Sequence, residues 1–187
     1  MKTLKGSILT RSSHGAEGFE VQRRGLIEKW LKEYDIENYT INDDFTIDVD
    51  GDVNLVRKNL IEFPDYIQFN IVKGDFDCST NKLTSLRGGP KKVSGSFICI
   101  HNQLTSLEGA PRKVGGDFNC RWNKLTSLEG SPKEVGWTFN CRYNRLTSLK
   151  GAPKEVGGYF DCSNNFILFS VDDAKKVCQV KRTIIVK

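Results

Sequence analysis

Apolar positions in the middle of the chain recur with a period of 21 residues. Within each period Phe and Cys alternate with one other residue, a Val precedes them, and an Asn and two Leu follow, giving the frame V-x-x-x-F-x-C-x-x-N-x-L-x-x-L. The repeated cysteines are Cys78, Cys99, Cys120, Cys141 and Cys162. Self-similarity at nearly every position of consecutive units predicts a solenoid, in which each unit is one rung that buries its apolar face against its neighbours.

Each rung combines a short strand with a return segment. The Phe-x-Cys alternation has the period of two that is typical of a strand, with both side chains directed into the core. Asn123 then bends the chain, and its amide is able to bond backbone groups of the turn and of the neighbouring rung. No helical period fits between Leu128 and Val135, so the return side is predicted to be extended or turn-like. The asparagines expected to form a ladder are Asn81, Asn102, Asn123, Asn144 and Asn165.

The pattern divides the chain into a tail, two end segments and the repeats. We expect a flexible tail over residues 1–17, an N-terminal helix-plus-strand cap over residues 18–50, repeats over residues 51–167, and a C-terminal cap over residues 168–187. Within the repeats, residues 51–73 form a degenerate first rung, residues 74–157 form full rungs, and residues 158–167 form a partial rung. In the degenerate rung the Phe, Cys, Leu and Leu places are taken by Val53, Leu55, Leu60 and Phe63.

Both ends of the repeats carry patterns of a cap, which a solenoid needs because an open rung exposes its core. Upstream, apolar residues at helical spacing between Phe19 and Tyr34 predict a helix, and the alternating segment FTIDV predicts a strand. Downstream, Ser170 stands where a Leu belongs and is a typical N-cap of a short helix, with Cys178 on its apolar face. The final KRTIIVK predicts a closing strand.

The units LTSLEGAP and VGGDFNC resemble the short leucine-rich repeats found in uncharacterised phage and bacterial proteins. They are similar, more loosely, to the LTxLP repeats of bacterial secreted effectors, although Gly109 and Gly130 stand where those repeats often have Pro. The resemblance implies a leucine-rich-repeat solenoid with short parallel strands on a concave face, an extended or turn-like convex side and helix-strand caps. For function it implies a module that binds another macromolecule, because such repeats serve many partners.

The composition predicts a folded, soluble protein. Of its 187 residues 38% are hydrophobic, and no stretch approaches the roughly 18 apolar residues of a membrane span. Residues 1–13 lack the apolar core of a secretory signal, so we expect a cytoplasmic location, the host cytoplasm if a phage encodes the chain. The net charge of +5 is too weak to predict a nucleic-acid binder, and we expect a monomer with a protein partner and no membrane contact.

Cysteines and aspartates raise the question of a metal site. Because five of the six cysteines share one inward column, we expect them to pack as core residues and not as a disulfide or metal set. The segment IDVDGDVN has carboxylates at calcium-loop spacing, but Gly51 is at the fourth position counted from Asp48, whereas an EF-hand needs glycine at the sixth. We therefore expect Asp48, Asp50 and Asp52 to form the polar, solvated face of a strand.

The remaining polar signals do not predict catalysis. Neither His14 nor His101 has an acid and a nucleophile at recognisable spacing, so we expect neither an enzyme nor a cofactor. A basic column follows the proline of each rung, and we expect a solvated flank, with contact to an anionic surface as the alternative. It comprises Lys91, Arg112, Lys133 and Lys154.

The outward strand positions differ between the middle and the end rungs. In the end rungs they are small, polar or acidic, whereas in the three middle rungs they include Trp122, Tyr143 and two arginines. Trp, Tyr and Arg are enriched at binding hot spots, and exposed Ile beside them is costly without a partner. The predicted partner-binding residues are Ile98, Ile100, His101, Asn119, Arg121, Trp122, Asn140, Arg142 and Tyr143.

Two other functions fit the sequence. Residues 1–18 resemble the N-terminal targeting segments of internal head proteins of tailed phages, which would make the chain a virion-packaged protein that is cut after Glu17. Alternatively, Arg121 and Arg142, flanked by Trp122 and Tyr143, are able to bind a phosphate-bearing ligand.

Overall fold

The computed structural model describes the backbone of residues 13–187 and the side chains of residues 18–187. These residues form a parallel-strand β-solenoid of about seven turns. In chain order the elements are α1 (Ser13–Glu33), β1 (Tyr39–Ile41), β2 (Ile47–Val49), β3 (Val53–Asn54), β4 (Phe69–Val72), β5 (Phe76–Asp77), β6 (Lys92–Val93), β7 (Phe97–Ile98), β8 (Lys113–Val114), β9 (Phe118–Asn119), β10 (Glu134–Val135), β11 (Phe139–Asn140), β12 (Glu155–Val156), β13 (Phe160–Asp161), α2 (Val171–Val177), β14 (Gln179–Val180) and β15 (Ile184–Ile185).

The strands form two sheets that run along the solenoid. The Phe-x-Cys segments build a seven-stranded sheet in the order β3-β5-β7-β9-β11-β13-β15. The return side, predicted to be extended or turn-like, is extended and forms a second sheet in the order β1-β2-β4-β6-β8-β10-β12-β14. Successive repeat strands pair in parallel with a shift of one whole rung, so Phe97 lies opposite Phe118 and Val114 opposite Val135. Only the β1–β2 pair of the described strands is antiparallel.

Identical side chains therefore lie above one another in the core. The rings of Phe97 and Phe118 stack with centroids 5.4 Å apart and planes 9° apart, and Phe118 and Phe139 repeat this at 5.3 Å. The Val, Cys and Leu columns are buried beside them in the same core. Since each rung places the same shape on its neighbour, one packing solution serves the whole array.

The ladder asparagines connect consecutive rungs. Nδ2 of Asn123 donates to the carbonyl oxygen of Cys120 in its own rung (3.1 Å) and of Cys99 in the preceding rung (3.0 Å). Its Oδ1 accepts the backbone N–H of Leu104 at 3.0 Å. Equivalent contacts occur at Asn81, Asn102, Asn144 and Asn165. Each amide thus satisfies backbone groups that the turn leaves without a strand partner.

A glycine with positive φ closes each return turn. Gly130 has φ +87°, and a Cβ built there would lie 2.6 Å from the carbonyl carbon of Leu107 in the preceding rung. Proline, with φ near −65°, does not fit this turn. Gly109, at the other position where LTxLP repeats often have Pro, has φ +89° and is equally incompatible with proline.

The N-terminal segment packs against the first rung. Helix α1 begins at Ser13, so residues 13–17 of the predicted tail are helical, while residues 1–12 lie outside the described part of the chain. Trp30 is buried, with its ring centroid 6.3 Å from that of Phe63 and 6.2 Å from that of Phe69. Val53 pairs with Phe76, which is the alignment that the degenerate first rung predicts.

The strand predicted from FTIDV is shorter than its alternation suggests. Phe45 has φ +62° and lies in the turn of a hairpin, so β2 begins at Ile47 and pairs with β1, which the sequence pattern did not indicate. The hydrogen bond from the N–H of Thr46 to Oδ1 of Asp44 holds this turn.

The C-terminal segment adds one irregular turn to the solenoid. Ser170 caps α2 with a capping box, accepting the N–H of Asp173 while Asp173 accepts the N–H of Ser170. The strands β14 and β15 then pair with β12 and β13 and extend both sheets. Cys178 is buried but follows the helix in an extended conformation, so it is not on the helix face as expected.

The last partial rung departs from the repeat. Ile167 occupies the first Leu place but is 45% exposed, whereas Phe169, two residues later, is buried. The sequence pattern predicted Ile167 at the edge of the core. The difference arises because α2 replaces the regular turn that would cover this position in the next rung.

Candidate binding surface

Three aromatic rings stack on consecutive rungs at the point where each strand of the seven-stranded sheet ends. The ring centroid of Trp122 lies 5.4 Å from that of His101 and 4.1 Å from that of Tyr143, with interplanar angles of 12° and 16°. We call these three residues the ring stack. Because one ring lies on each side of Trp122, both indole faces are occupied, yet Trp122 remains 45% exposed through its edge.

The backbone of the ring stack is in the left-handed region. His101, Trp122 and Tyr143 have φ of +53°, +58° and +53°, and Thr80 and Asn164 adopt the same conformation in the flanking rungs. The conformation follows from the turn that leads into the ladder asparagine. Left-handed backbone costs a residue other than Gly or Asn about 1–2 kcal/mol. The three ring-bearing residues therefore occupy positions at which Asn or Gly would have a lower conformational free energy.

Arginines precede the second and third ring. The guanidinium carbon of Arg142 lies 4.5 Å from the ring centroid of Tyr143, and its Nη2 donates to the Tyr143 hydroxyl at 2.9 Å. Its Nη1 is 3.9 Å from a carboxylate oxygen of Asp161, which is buried. Arg121 stands in the equivalent place beside Trp122. The Nε atoms of Arg121 and Arg142 are buried and have no hydrogen-bond partner among the described residues.

Two of the predicted partner-binding residues, Asn119 and Asn140, make hydrogen bonds within the turn. Oδ1 of Asn119 accepts the N–H of Arg121 (3.3 Å), and Oδ1 of Asn140 accepts the N–H of Arg142 (3.2 Å). These are turns in which an Asn side chain accepts a backbone N–H two residues later. The need for a side-chain acceptor in the turn is enough to explain why the residue between Phe and Cys is polar, and no binding partner has to be invoked.

The isoleucines of rung 95–115 are less exposed than the sequence suggested. Ile98 and Ile100 are both partly buried, so they are not freely exposed apolar residues. Since Ile98 has no side-chain acceptor, the N–H of Ile100 donates to the hydroxyl of Ser79 in the preceding rung at 3.3 Å. The surface is therefore apolar beside His101 and cationic beside Trp122 and Tyr143.

The aspartates of the suspected calcium loop already have partners in the fold. Asp48 accepts hydrogen bonds from the side chains of Asn42 and Asn70 and from the N–H of Ile71, and it is partly buried. Asp50 pairs with Lys73 at 2.8 Å. Among the residues whose side chains are described, no group of three or more His, Cys, Asp or Glu is arranged to hold a metal. The expectation of a solvated strand face is thus wrong for Asp48, which has a structural role.

All six cysteines are free and buried. Burial raises the pKa of each thiol, and raises it from the ordinary 9.0 to about 11 for Cys162 and Cys178. The thiolate is the nucleophile and metal ligand, so these positions disfavour cysteine chemistry in the folded state.

The basic column stacks as its spacing implies. The backbone N–H of Arg112 donates to the carbonyl oxygen of Lys91, that of Lys133 to Arg112 and that of Lys154 to Lys133. The N–O distance is 2.9 Å in each of these bonds. The four side chains are exposed. They lie at the start of the strands of the eight-stranded sheet, apart from the ring stack.

Sequence reasoning overlooked a second exposed tryptophan. Trp137 is 44% exposed and occupies a corner where the other rungs have glycine, and the guanidinium carbon of Arg182 lies 4.3 Å from its ring centroid. The replacement of Gly by Trp in an otherwise repeated column was a visible signal. Its contact with the C-terminal segment gives it a structural explanation.

No protein-family model, curated protein or solved structure shows a significant match to this chain. Within the described residues, no helix is long and apolar enough to cross a membrane.

Proposed function

We propose that this chain is a non-catalytic leucine-rich-repeat module that binds a partner protein through the ring stack and its neighbouring side chains. The observation that carries the proposal is the ring stack, three aromatic residues on a rigid sheet end where the backbone conformation disfavours them. Strained residues that the fold itself does not require point to a functional constraint. Aromatic and arginine side chains together are typical of binding hot spots.

The leucine-rich-repeat assignment rests on the frame and on the asparagine contacts between rungs. The two flanking segments are proposed to act as caps, because α1 packs its Trp30 on the first rung and the β14–β15 segment extends both sheets at the other end. A cytoplasmic location is proposed because six buried free thiols suit a reducing compartment.

The phosphate-binding alternative is less well supported. Arg142 already bonds the Tyr143 hydroxyl and lies 3.9 Å from Asp161, so its charge is partly compensated. The Nε of Arg121 is buried, so a two-atom contact with a phosphate would have to use its two Nη atoms. Rings and guanidinium groups that contact one another favour a preformed protein-binding surface.

The proposal is tested with two matched tryptophan variants. Trp122→Asn removes the central ring and installs the residue that the chain itself has at the equivalent Asn164, which tolerates the left-handed backbone. Trp137→Gly removes an equally exposed ring on another corner and installs the residue of neighbouring rungs.

Each immobilised protein is incubated with lysate of the source cells, and retained proteins are quantified by mass spectrometry. We expect a partner that wild type and Trp137→Gly retain and Trp122→Asn loses. Equal retention by all three proteins would show that the ring stack is not the binding surface.

A further inference from the structure

We propose that the surface around the ring stack is built to receive an acidic protein segment. This inference rests on the proposed function and specifies the chemistry of the partner.

The solenoid is electrically polarised along its length. Residues 34–77 carry 3 Lys or Arg against 11 Asp or Glu, whereas residues 78–187 carry 18 against 8. The net charge therefore changes from −8 in the first segment to +10 in the second, which contains the ring stack. This distribution attracts an acidic partner at long range to the second segment, on which the ring stack lies.

The cations next to the rings lack carboxylate partners. Arg121 precedes Trp122 in the chain, and Lys124 follows it by two residues, as Arg145 follows Tyr143. Among residues 18–187, none of Arg121, Lys124 and Arg145 has a carboxylate oxygen within 4.0 Å. The Nζ of Lys124 donates to the neutral side-chain oxygen of Gln103 at 3.1 Å.

The glutamates of the same rungs are neutralised by cations of neighbouring rungs. Each glutamate of rungs 95–157 lies within 2.9 Å of a cation, in the pairs Arg87–Glu108, Glu129–Lys150, Lys113–Glu134 and Glu155–Lys181. A solenoid of this kind pairs charges readily, because equivalent side chains on adjacent rungs lie about 5 Å apart. Arg121, Lys124 and Arg145 stand outside these pairs, as do the cations of the basic column, and their charge is available to an external anion next to the ring stack.

The geometry favours a protein partner over a single-stranded nucleic acid. Base recognition by aromatic residues uses open ring faces, but neighbouring rings cover both faces of Trp122, and Arg142 lies over Tyr143. Trp122 is left with its ring edge exposed, and the partly buried Ile98 and Ile100 lie on the rung of His101. This combination fits a segment with carboxylates at one end and an apolar side chain at the other.

The test uses a display library of random dodecapeptides, selected on the full-length protein. Selected peptides are then measured against three variants, each checked for an unchanged thermal melt. Trp122→Asn removes the central ring, and Arg121→Gln/Lys124→Gln/Arg145→Gln removes the nearby cations. Lys91→Gln/Lys133→Gln/Lys154→Gln removes the same charge from the basic column and is the matched control.

We expect peptides enriched in Asp and Glu that lose about tenfold in affinity with the cation variant and much less with the control. Both Trp122→Asn and added salt should also weaken them. Trp122-dependent peptides without acidic residues, bound equally by the cation variant, would overturn this inference and leave the proposed function in place. If no selected peptide depended on Trp122 for binding, both the proposed function and this inference would be overturned. Trp122-dependent binding of labelled oligothymidylate, tighter than that of any selected peptide, would identify the partner as nucleic acid and also overturn the inference.

Discussion

Replacement of Asn123 by Ala isolates the contribution of one ladder amide to stability. The side chain makes three main contacts, and they are not equivalent. The carbonyl oxygen of Cys99 also accepts from Asn102 (3.3 Å), and that of Cys120 also accepts from Asn144 (3.0 Å), so both oxygens keep a donor in the variant. The N–H of Leu104, in contrast, loses the acceptor that Asn123 provides.

The expected loss in free energy of unfolding therefore comes mainly from one buried N–H group that has no acceptor in the variant. An unsatisfied buried donor costs about 1–3 kcal/mol, and we expect Asn123→Ala to reduce the free energy of unfolding by this amount. For a chain of this size, that corresponds to about 2–4 °C in melting temperature for each kcal/mol. The local signature should be faster hydrogen exchange at the amide of Leu104, because its protected N–H becomes free to bond water when the turn opens.

The assay is urea denaturation followed by tryptophan fluorescence, together with amide exchange measured by mass spectrometry. Asn165→Ala is the matched control: Asn165 accepts the N–H of Leu146 at 3.1 Å, but this site is only partly buried, so water replaces the lost bond at smaller cost. An unchanged denaturation midpoint for Asn123→Ala, or an equal loss in both variants, would refute the assignment of the ladder as a buried bonding network.

Three further outcomes test other parts of the fold. Gly130→Ala should cost at least about 2 kcal/mol, because the residue has φ +87° and its Cβ meets the preceding rung, whereas Gly25→Ala in α1 meets nothing within 4 Å and should raise the melting temperature. Deletion of residues 170–187 should cause aggregation by exposing the edges of β12 and β13, and a monodisperse, cooperatively folding truncation would contradict this. Stability should fall as pH rises from about 9 to about 11, because the thiols of Cys162 and Cys178 ionise near 9.0 when unfolded but have a pKa of about 11 when folded. A urea midpoint that does not move across this range, relative to a Cys178→Ala control, would argue against buried neutral thiols.

The candidate surface was only partly accessible to sequence reasoning. The period of 21 residues places Trp122 between His101 and Tyr143 on adjacent rungs, and the structure shows these rings in contact. The chain pattern did not reveal that Asn119 and Asn140 hold the turn, nor that Ile98 and Ile100 are partly buried. Those properties depend on backbone conformation and on contacts with neighbouring rungs. The repeat pattern indicates which residues point outward, but it gives neither their conformation nor their contacts.

Features of the fold that are local or repeated could be predicted from the sequence. Phe-x-Cys alternation, the ladder position of Asn123 and the Ser170 helix cap are each signalled within a few residues, and repetition multiplies the first two signals. The second sheet could not be predicted in this way, because its repeat strands are two residues long and have no alternation of their own. Their hydrogen bonds, like the pairing of Lys113 with Glu134, join residues about one rung apart in sequence, so they exist only once the rungs have stacked.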